Sequence, residues 1–221
     1  MAVLTVMQSS VSIGDPHIAS DSSNRLSLLF TIYDALANVD ESGAFQPALA
    51  ESWEVADDGR TWTFHLRPGV QFHNGEVMTA DDVLATLGRV LDPSIGGAFG
   101  TQGVYISYLG SAQITAPDDA TVTVVTEAPM ADLLDLLVAM PISPASALDG
   151  LPERHVGTGP YKIVTQNEME VVLEAHGEYW GGAPEYEEIR IALELRLAKH
   201  RAELRDPPLG LLAKKKDEEG D

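Results

Sequence analysis

The segment 52–91 constrains the fold more than any other part of the chain, because two turn signals, an alternating strand and a helix start follow one another without a gap. Large apolar residues alternate with polar ones over 61–67, which is typical of a half-buried strand. Asp58-Gly59 precedes this strand and predicts a tight turn, because glycine adopts positive φ at no steric cost. We therefore expect residues 53–55 to run antiparallel to 61–67. The side chains expected in the core of this hairpin are Trp53, Trp62, Phe64 and Leu66.

The same segment ends in a helix with a recognisable start. Asn74-Gly75 predicts a second turn after a short strand at 70–72. Thr79 followed by Asp82 has the pattern of a capping box, in which the threonine oxygen accepts a first-turn amide and the aspartate accepts the cap amide. We predict a helix over 80–91 with one apolar face.

Further periodic segments surround this module. A helix is expected over 24–37, a loop rich in glycine and aromatic residues over 94–110, and a short apolar helix over 130–140. The apolar face of the first helix would consist of Leu26, Leu29, Phe30, Tyr33 and Leu36. Strands are predicted at 3–7, 113–115, 121–126, 161–165, 169–175 and 189–197, although Leu193 and Leu197 could equally begin a helix. Short strands mixed with a few helices, without regular βαβ alternation, indicate a mixed α/β (α+β) fold.

The charge of the chain excludes several classes of partner. With 14 basic and 34 acidic residues among 221, the net charge is −20. Such a surface repels nucleic acid and anionic membranes. No apolar run is long enough to span a bilayer, so no membrane insertion is expected, and the first residues, MAVLTVMQSS, lack the basic start and apolar stretch of a signal peptide. The absence of cysteine excludes disulfides and thiolate chemistry.

Signals of catalysis, metal binding and cofactor binding are weak. The six histidines show no pair at i, i+4 and no carboxylate at ligand spacing. No serine lies in a nucleophile elbow, and the paired aspartates fall at turns and at a helix start, where backbone amides need acceptors. GTGPY at 157–161 is followed by a strand and not by the helix of a phosphate loop, so it is interpreted as a turn. We predict no catalytic residue, no metal and no cofactor.

Four separated motifs together resemble part of a known family. They are DPHI at 15–18, LAESWEVADDGRTWTFHLRPGVQFHNGEVMTADDV at 49–83, GTGPY at 157–161 and YWGGAP at 179–184. Their order is similar to that in the extracytoplasmic solute-binding proteins of family 5, which bind peptides, nickel complexes or oligosaccharides for ABC transporters. The resemblance implies that 1–191 is the N-terminal lobe of a two-lobed clamp of the periplasmic-binding-protein type, present here in truncated form.

The resemblance also implies a function and a set of contact residues. A chain of this kind is expected to capture a solute, here an oligopeptide, in the periplasm or outside the cell, with ABC transporter permease subunits as partners. The tryptophan-rich hairpin would then be scaffold rather than a site. The positions that align with the family's ligand contacts are Ser20, Asp21, Ser22, Phe99, Tyr105, Ile142 and Ser143.

The segment 192–221 does not resemble the family. It contains seven basic and seven acidic residues, so all of the net charge lies before it. We expect a non-family tail that is not integrated into the core, in a chain that is a truncated, frameshifted or fused form. Limited trypsin proteolysis is expected to remove this tail without changing the circular dichroism of the remainder.

Two other functions stay open on the residues alone. The many acidic residues would also suit a hydrolase-type enzyme, and the tail would also suit a standalone interaction domain in which it replaces missing elements. Titration with peptides and a screen for hydrolase activity would distinguish binding from catalysis.

Overall fold

The strands of the computed structural model form two four-stranded sheets and a two-stranded ribbon within the residues that the structure describes, which are 2–18, 23–95 and 101–194. The strands are β1 (Val3–Gln8), β2 (Ala37–Val39), β3 (Phe45–Pro47), β4 (Ala50–Val55), β5 (Thr61–Leu66), β6 (Gln113–Asp118), β7 (Thr121–Val125), β8 (Tyr161–Gln166), β9 (Glu170–Ala175) and β10 (Glu188–Leu193). The helices are α1 (Ser23–Ile32), α2 (Ala80–Leu91), α3 (Thr101–Leu109) and α4 (Leu133–Leu137), with a 3-10 helix at Ala145–Gly150.

The first sheet is mixed and has the strand order β1-β10-β9-β8. β1 and β10 are parallel, with Val3 opposite Glu188, whereas β10, β9 and β8 are antiparallel neighbours. The inner face of the sheet packs against α1 in an apolar cluster that includes Leu28, Ile32 and Leu173, all fully buried. The strand at the start of the described chain is therefore held by a strand near its end.

The second sheet contains the predicted hairpin. Its strand order is β4-β5-β7-β6 and all of its neighbours are antiparallel. Trp53 lies opposite Phe64, in the register expected from the Asp58-Gly59 turn. Trp62 and Phe64 are buried and their rings stack with centroids 6.2 Å apart. Burial of each such side chain stabilises the fold by roughly 1.5–3 kcal/mol.

Trp53 is less buried than predicted. It lies on β4, which is an edge strand, and it packs against the apolar cluster of the second sheet while remaining partly exposed. An edge strand is covered by a neighbouring strand on one side only, so its side chains lose less solvent contact than those of β5.

α2 has the predicted bounds and the predicted capping box. The Thr79 amide donates to Asp82 Oδ2 over 2.9 Å. The Ala145 amide donates to Asp82 Oδ1 over 2.9 Å, so the same carboxylate also anchors the start of the 3-10 helix. The apolar face of α2 packs on the second sheet through Val83, Leu87 and Val90.

α1 is shorter than predicted, because other segments take the hydrogen bonds that would continue it. The Gly159 amide donates to the Ile32 carbonyl over 2.9 Å, and the Leu49 amide donates to the Ala35 carbonyl over 3.2 Å. A Cβ atom at Gly157 or Gly159 would collide with the Ile32 carbonyl, so the GTGPY motif uses glycine for close approach of two backbones.

The predicted apolar face of α1 was wrong at two of its five positions. Leu26 and Phe30 are 36% and 40% exposed, whereas the buried residues of the helix are Leu28, Leu29 and Ile32. Tyr33 and Leu36 are buried as predicted, but they lie in the chain that follows the helix.

Two further helix predictions were wrong. The expected loop at 94–110 contains α3, whose Tyr105 and Leu109 pack in the cluster of the second sheet. The helix expected over 130–140 is limited to α4, because the Met130 backbone bonds to the hairpin instead. The Met130 amide donates to the Gly59 carbonyl, and the Trp62 indole donates to the Met130 carbonyl over 3.1 Å.

The strand expected at 70–72 is reduced to one bridge between Gln71 and Val77, around the Asn74-Gly75 turn. The strand expected over 189–197 is β10, and its predicted residues beyond 194, like the rest of the tail, lie outside the described residues. The mixed α/β class is confirmed. Within the described ranges, none of the helices combines the length and apolar character that crossing a membrane requires.

Candidate functional site

A small recess of about 20 Å³, enough for roughly one water molecule, lies where α2 and α3 meet the DPHI loop. It is lined by Pro16, His17, Val90, Tyr105, Ala139, Met140 and Pro141. The lining is apolar except for His17 and the Tyr105 hydroxyl, which donates to the Leu136 carbonyl over 3.3 Å. Pockets that enclose a small ligand are usually roughly 300–1,000 Å³, so this recess has the size of a part of one wall and not of a complete site.

A buried ion pair contacts His17, one of the residues that line this recess. Arg89 of α2 donates to both carboxylate oxygens of Asp15, over 3.0 and 2.6 Å. Burial alone would raise the pKa of Asp15, but hydrogen bonds from Arg89 and from the His17 amide hold it below its usual value. The pair therefore fixes the DPHI loop to α2 as a charged unit.

His17 is held as a neutral ring between two partners. Its Nδ1 accepts from Arg89 over 3.0 Å, and its Nε2 lies 2.9 Å from the Pro141 carbonyl, to which it donates. Burial lowers the pKa of His17 to about 4. The ring thus joins the DPHI loop, α2 and the segment 139–141 around the recess.

A second polar cluster lies close to Asp15. The Tyr33 hydroxyl and His155 Nδ1 are 3.0 Å apart, and Tyr33 is fully buried. Arg25 of α1 donates to the Asp15 carbonyl through Nη2. Ser143 is 1% exposed, and its side chain lies close enough to Tyr33 for a hydrogen bond, which lowers the tyrosine pKa against the larger, raising effect of burial. The cluster therefore contains one guanidinium, one imidazole and two hydroxyl groups near the DPHI loop.

Asp34, which follows α1 in the chain, is hydrogen-bonded to the YWGGAP motif. The carboxylate is 7% exposed and accepts from Thr158 Oγ1 over 3.0 Å, from Trp180 Nε1 over 2.8 Å and from the Tyr179 hydroxyl over 3.4 Å. Burial raises the pKa of Asp34, although these hydrogen bonds act against it. The GTGPY and YWGGAP motifs therefore act as structural partners of one carboxylate.

The residues predicted as ligand contacts fall into two groups. Four of them, Ser20, Asp21, Ser22 and Phe99, lie outside the described residues. Of the others, Tyr105 lines the recess, whereas Ile142 and Ser143 are each 1% exposed and are not among its lining residues. The Ser143 amide donates to Thr86 Oγ1 over 3.2 Å, which ties this segment to α2. The structure brings the three described residues to one region of the fold.

Sequence reasoning missed the buried network around the recess. DPHI was recognised only as a marker of the family, and Arg89 was not singled out. The available signal was the lone basic residue in the last turn of α2, a helix that otherwise carries its charges in the first turn. No cluster of three or more potential metal ligands occurs in the described segments.

The chain matches the family described as bacterial extracellular solute-binding proteins, family 5, over residues 44–193. It is 31% identical over 176 residues to di/tripeptide-binding protein 1 of Pseudomonas aeruginosa, a match that covers 68% of this chain and 33% of that protein. It is 32% identical over 197 residues to the glutathione-binding protein GsiB of Shigella boydii, with 85% of this chain and 37% of that protein covered.

A similar structure has been solved for the binding protein AgaA of A. tumefaciens R10 in complex with agropinic acid. The TM-score is 0.77 at 27% sequence identity, and the match covers 92% of this chain and 42% of AgaA. The chain thus spans about a third of the length of the curated relatives named above and less than half of AgaA. On the sequence match over 44–193 and on the shared fold, the chain belongs to the bacterial extracellular solute-binding proteins of family 5.

Proposed function

We propose that the chain supplies one wall of a cleft that captures a small solute of the oligopeptide class and delivers it to an ABC transporter permease. The observation that carries the proposal is the recess between the DPHI loop, α3 and the segment 139–141. Its mainly apolar lining, with His17 and Tyr105 as the polar residues, would contact the apolar part of a solute that lies across it. Relatives named for di/tripeptides and glutathione support this class of solute.

The proposed contact residues are those that align with the family's ligand contacts. Tyr105 would contact the solute from the recess, and Ile142 and Ser143, which directly follow the lining residue Pro141 and are 1% exposed in this structure, are the proposed contacts at its edge. The remaining proposed contacts are Ser20, Asp21, Ser22 and Phe99. Capture is proposed to occur in the periplasm or at the cell exterior, in keeping with the family description.

The family consists of solute-binding transport components and not of enzymes, so the hydrolase alternative has no support. The acidic pairs Asp57-Asp58 and Asp118-Asp119 lie at turns on the surface, as their local sequence predicted.

Two tyrosines of the same helix allow a matched test. Tyr105 lines the recess, whereas Tyr108 on α3 is 48% exposed. Ligand-observed NMR with tri-alanine is expected to show binding that weakens about fivefold or more in Tyr105→Leu and stays unchanged in Tyr108→Leu, because a buried aromatic anchor is worth more than about 1 kcal/mol. Equal binding by both variants, with both folded by circular dichroism, would contradict the proposed location.

A further inference from the structure

The segment 140–143 begins with two residues that line the recess, and it is buried although it lies in neither a helix nor a strand. The Ile142 amide donates to the Asp34 carbonyl over 3.0 Å, and the Ser143 amide donates to Thr86 Oγ1 over 3.2 Å. A buried segment without a strand ladder has to find partners for its amides elsewhere in the fold. These tertiary partners therefore set the position of the segment.

Asp34 is also held through its side chain. Its Oδ2 accepts from Thr158 and Trp180 over 3.0 and 2.8 Å, and its Oδ1 accepts from the Tyr179 hydroxyl over 3.4 Å. The residue is buried, so these hydrogen bonds replace the water that would otherwise solvate the carboxylate. A side chain that accepts three hydrogen bonds fixes its residue, and with it the carbonyl that receives the Ile142 amide.

Trp180 belongs to a loop that joins two strands of the first sheet, yet its ring is held next to the second sheet. The loop lies between β9 and β10, whereas the guanidinium of Arg67, which directly follows β5, lies 4.5 Å from the centroid of the Trp180 ring. Arg67 Nε donates to the Ala48 carbonyl over 3.1 Å, so the cation is itself fixed. The Trp180 ring also packs against the apolar cluster of the second sheet. The indole N–H therefore donates to Asp34 from a set position.

We propose that Asp34 and Trp180 are positioning residues for solute capture, which hold the segment 140–143 in place through the hydrogen bond from the Ile142 amide to the Asp34 carbonyl. Neither of them lines the recess, so their effect on the solute is indirect. A wall that is fixed before binding costs less free energy to order when the solute arrives. This inference rests on the proposed solute capture, and it adds to the proposed contacts two residues that act through the wall.

Hydrogen exchange of the Ile142 amide, measured by NMR without a solute, tests the positioning role. Trp180→Phe removes the indole N–H and keeps an aromatic ring for Arg67. The exchange rate of the Ile142 amide is expected to rise about 2- to 10-fold more than the rates of the amides in β9, since the loss of one hydrogen bond has an effect of this size. If the network only stabilises the whole fold, all of these rates rise by the same factor, and that result would overturn the proposal.

Trp62→Phe is the matched control for this substitution. The Trp62 indole also donates to a buried acceptor, the Met130 carbonyl, in a hydrogen bond in which Asp34 takes no part. This variant is expected to lose stability in a thermal melt and to leave the ratio of the Ile142 exchange rate to the β9 rates unchanged. An equal rise of that ratio in Trp62→Phe and Trp180→Phe would overturn the proposal.

Two substitutions at Asp34 separate hydrogen bonding from charge. Asp34→Ala removes the acceptor of three donors and is expected to weaken tri-alanine binding about 10-fold or more. Asp34→Asn keeps an oxygen that accepts from Thr158 and Trp180, so its affinity is expected to stay within about twofold of the unsubstituted chain. Equal losses in the two variants would overturn the proposal. If circular dichroism shows that Asp34→Ala does not fold, Thr158→Val takes its place, with an expected loss of about 2-fold or more.

The exchange and binding measurements distinguish this inference from the solute-capture proposal. If the unsubstituted chain does not bind tri-alanine, the proposed capture of short peptides loses its support, whereas the Ile142 exchange rate still decides whether Asp34 positions the wall. If the unsubstituted chain and Trp180→Phe bind equally well per folded molecule, solute capture stands and the positioning role is overturned.

Discussion

Asp15 and Arg89 form an ion pair whose side chains are only 9% and 12% exposed, and the pair holds the DPHI loop on α2. The pair gains strength from two hydrogen bonds, and Nη1 of Arg89 donates a further hydrogen bond to His17. Removing one partner of such a pair leaves the other charge buried and uncompensated, which is why single substitutions here should be severe.

Asp15→Asn is expected to lower the free energy of unfolding by about 3 kcal/mol, because Arg89 keeps its burial and loses its counter-charge. Urea denaturation at neutral pH measures this change. Glu188→Gln is the control, since Glu188 pairs with Arg190 at the surface and its loss should cost less than about 1 kcal/mol. Similar losses of unfolding free energy in the two variants would show that the buried ion pair contributes no more to stability than the exposed one.

Three buried histidines make the free energy of unfolding depend on pH. Burial lowers the pKa of His17, His73 and His155 from 6.5 to about 4. The unfolded chain takes up protons below about pH 6.5 that the folded chain does not take up until about pH 4. The contribution of each ring to stability is therefore present above about pH 6.5 and is lost as the pH falls towards 4.

His73→Gln isolates one of these contributions. The loss of stability between pH 7 and pH 5, followed by urea denaturation, is expected to be smaller than in the unsubstituted chain by about 1–2 kcal/mol. The raised pKa of Asp34 acts in the opposite direction, stabilising the fold as the pH falls, so the comparison between variants is needed. His65→Gln, at an exposed strand position, is the control. Identical pH curves for His73→Gln and the unsubstituted chain would contradict this reading.

At the scale of elements, α2 and α1 differ in how far their sequences determine them. α2 carries its own boundary signals, since Thr79 and Asp82 bond to each other within four residues. α1 ends where the Gly159 amide and other tertiary partners take its carbonyls, and no local pattern encodes those partners. The helix with local signals was predicted to the residue, whereas α1 was predicted too long and with Leu26 and Phe30 wrongly placed on its buried face.

Asp82 tests how much the capping box contributes. Asp82→Ala removes the acceptor of both the Thr79 and the Ala145 amides, and we expect a loss of about 2 kcal/mol in the free energy of unfolding. Asp81→Ala, one residue earlier and exposed, keeps both bonds and should change stability by less than about 0.5 kcal/mol. Thermal unfolding of both variants provides the measurement, and equal melting temperatures would refute the assigned role.

At the scale of the whole molecule, the sequence predicted the hairpins and the fold class because these depend on local alternation and turns. It did not predict the pairing of β1 with β10, whose partners Val3 and Glu188 are distant in the chain. The recess was missed for a similar reason, since His17, Tyr105 and Met140 come from three separate segments. The resemblance to family 5 predicted Tyr105 as a ligand contact, whereas the residues that surround Tyr105 were identified only in the structure.

The outer strands present edges and apolar side chains to solvent. β1 pairs with β10 alone and β8 with β9 alone among the described strands, and Met7 of β1 is 55% exposed. Such edges favour association between copies despite the net charge of −20. Light scattering is expected to show self-association that Met7→Lys reduces. Val77→Lys is the control, because Val77 is equally exposed but lies outside the named strands. A clean monomer in the unsubstituted chain would contradict this.

Backbone amide shifts followed by NMR during a tri-alanine titration would report directly where, and how tightly, this chain captures a solute. In a two-walled cleft, affinity comes from both walls. If an intact clamp binds at about 1 μM, or about −8.2 kcal/mol, one wall retaining half of that binds at about 1 mM. The expected result is a set of shifts at 16–18, Tyr105 and 139–143, with a dissociation constant of about 1 mM or weaker. Micromolar binding by a monomer, or shifts confined to the outer faces of the sheets, would contradict the assignment of this chain as one wall of a solute-binding cleft.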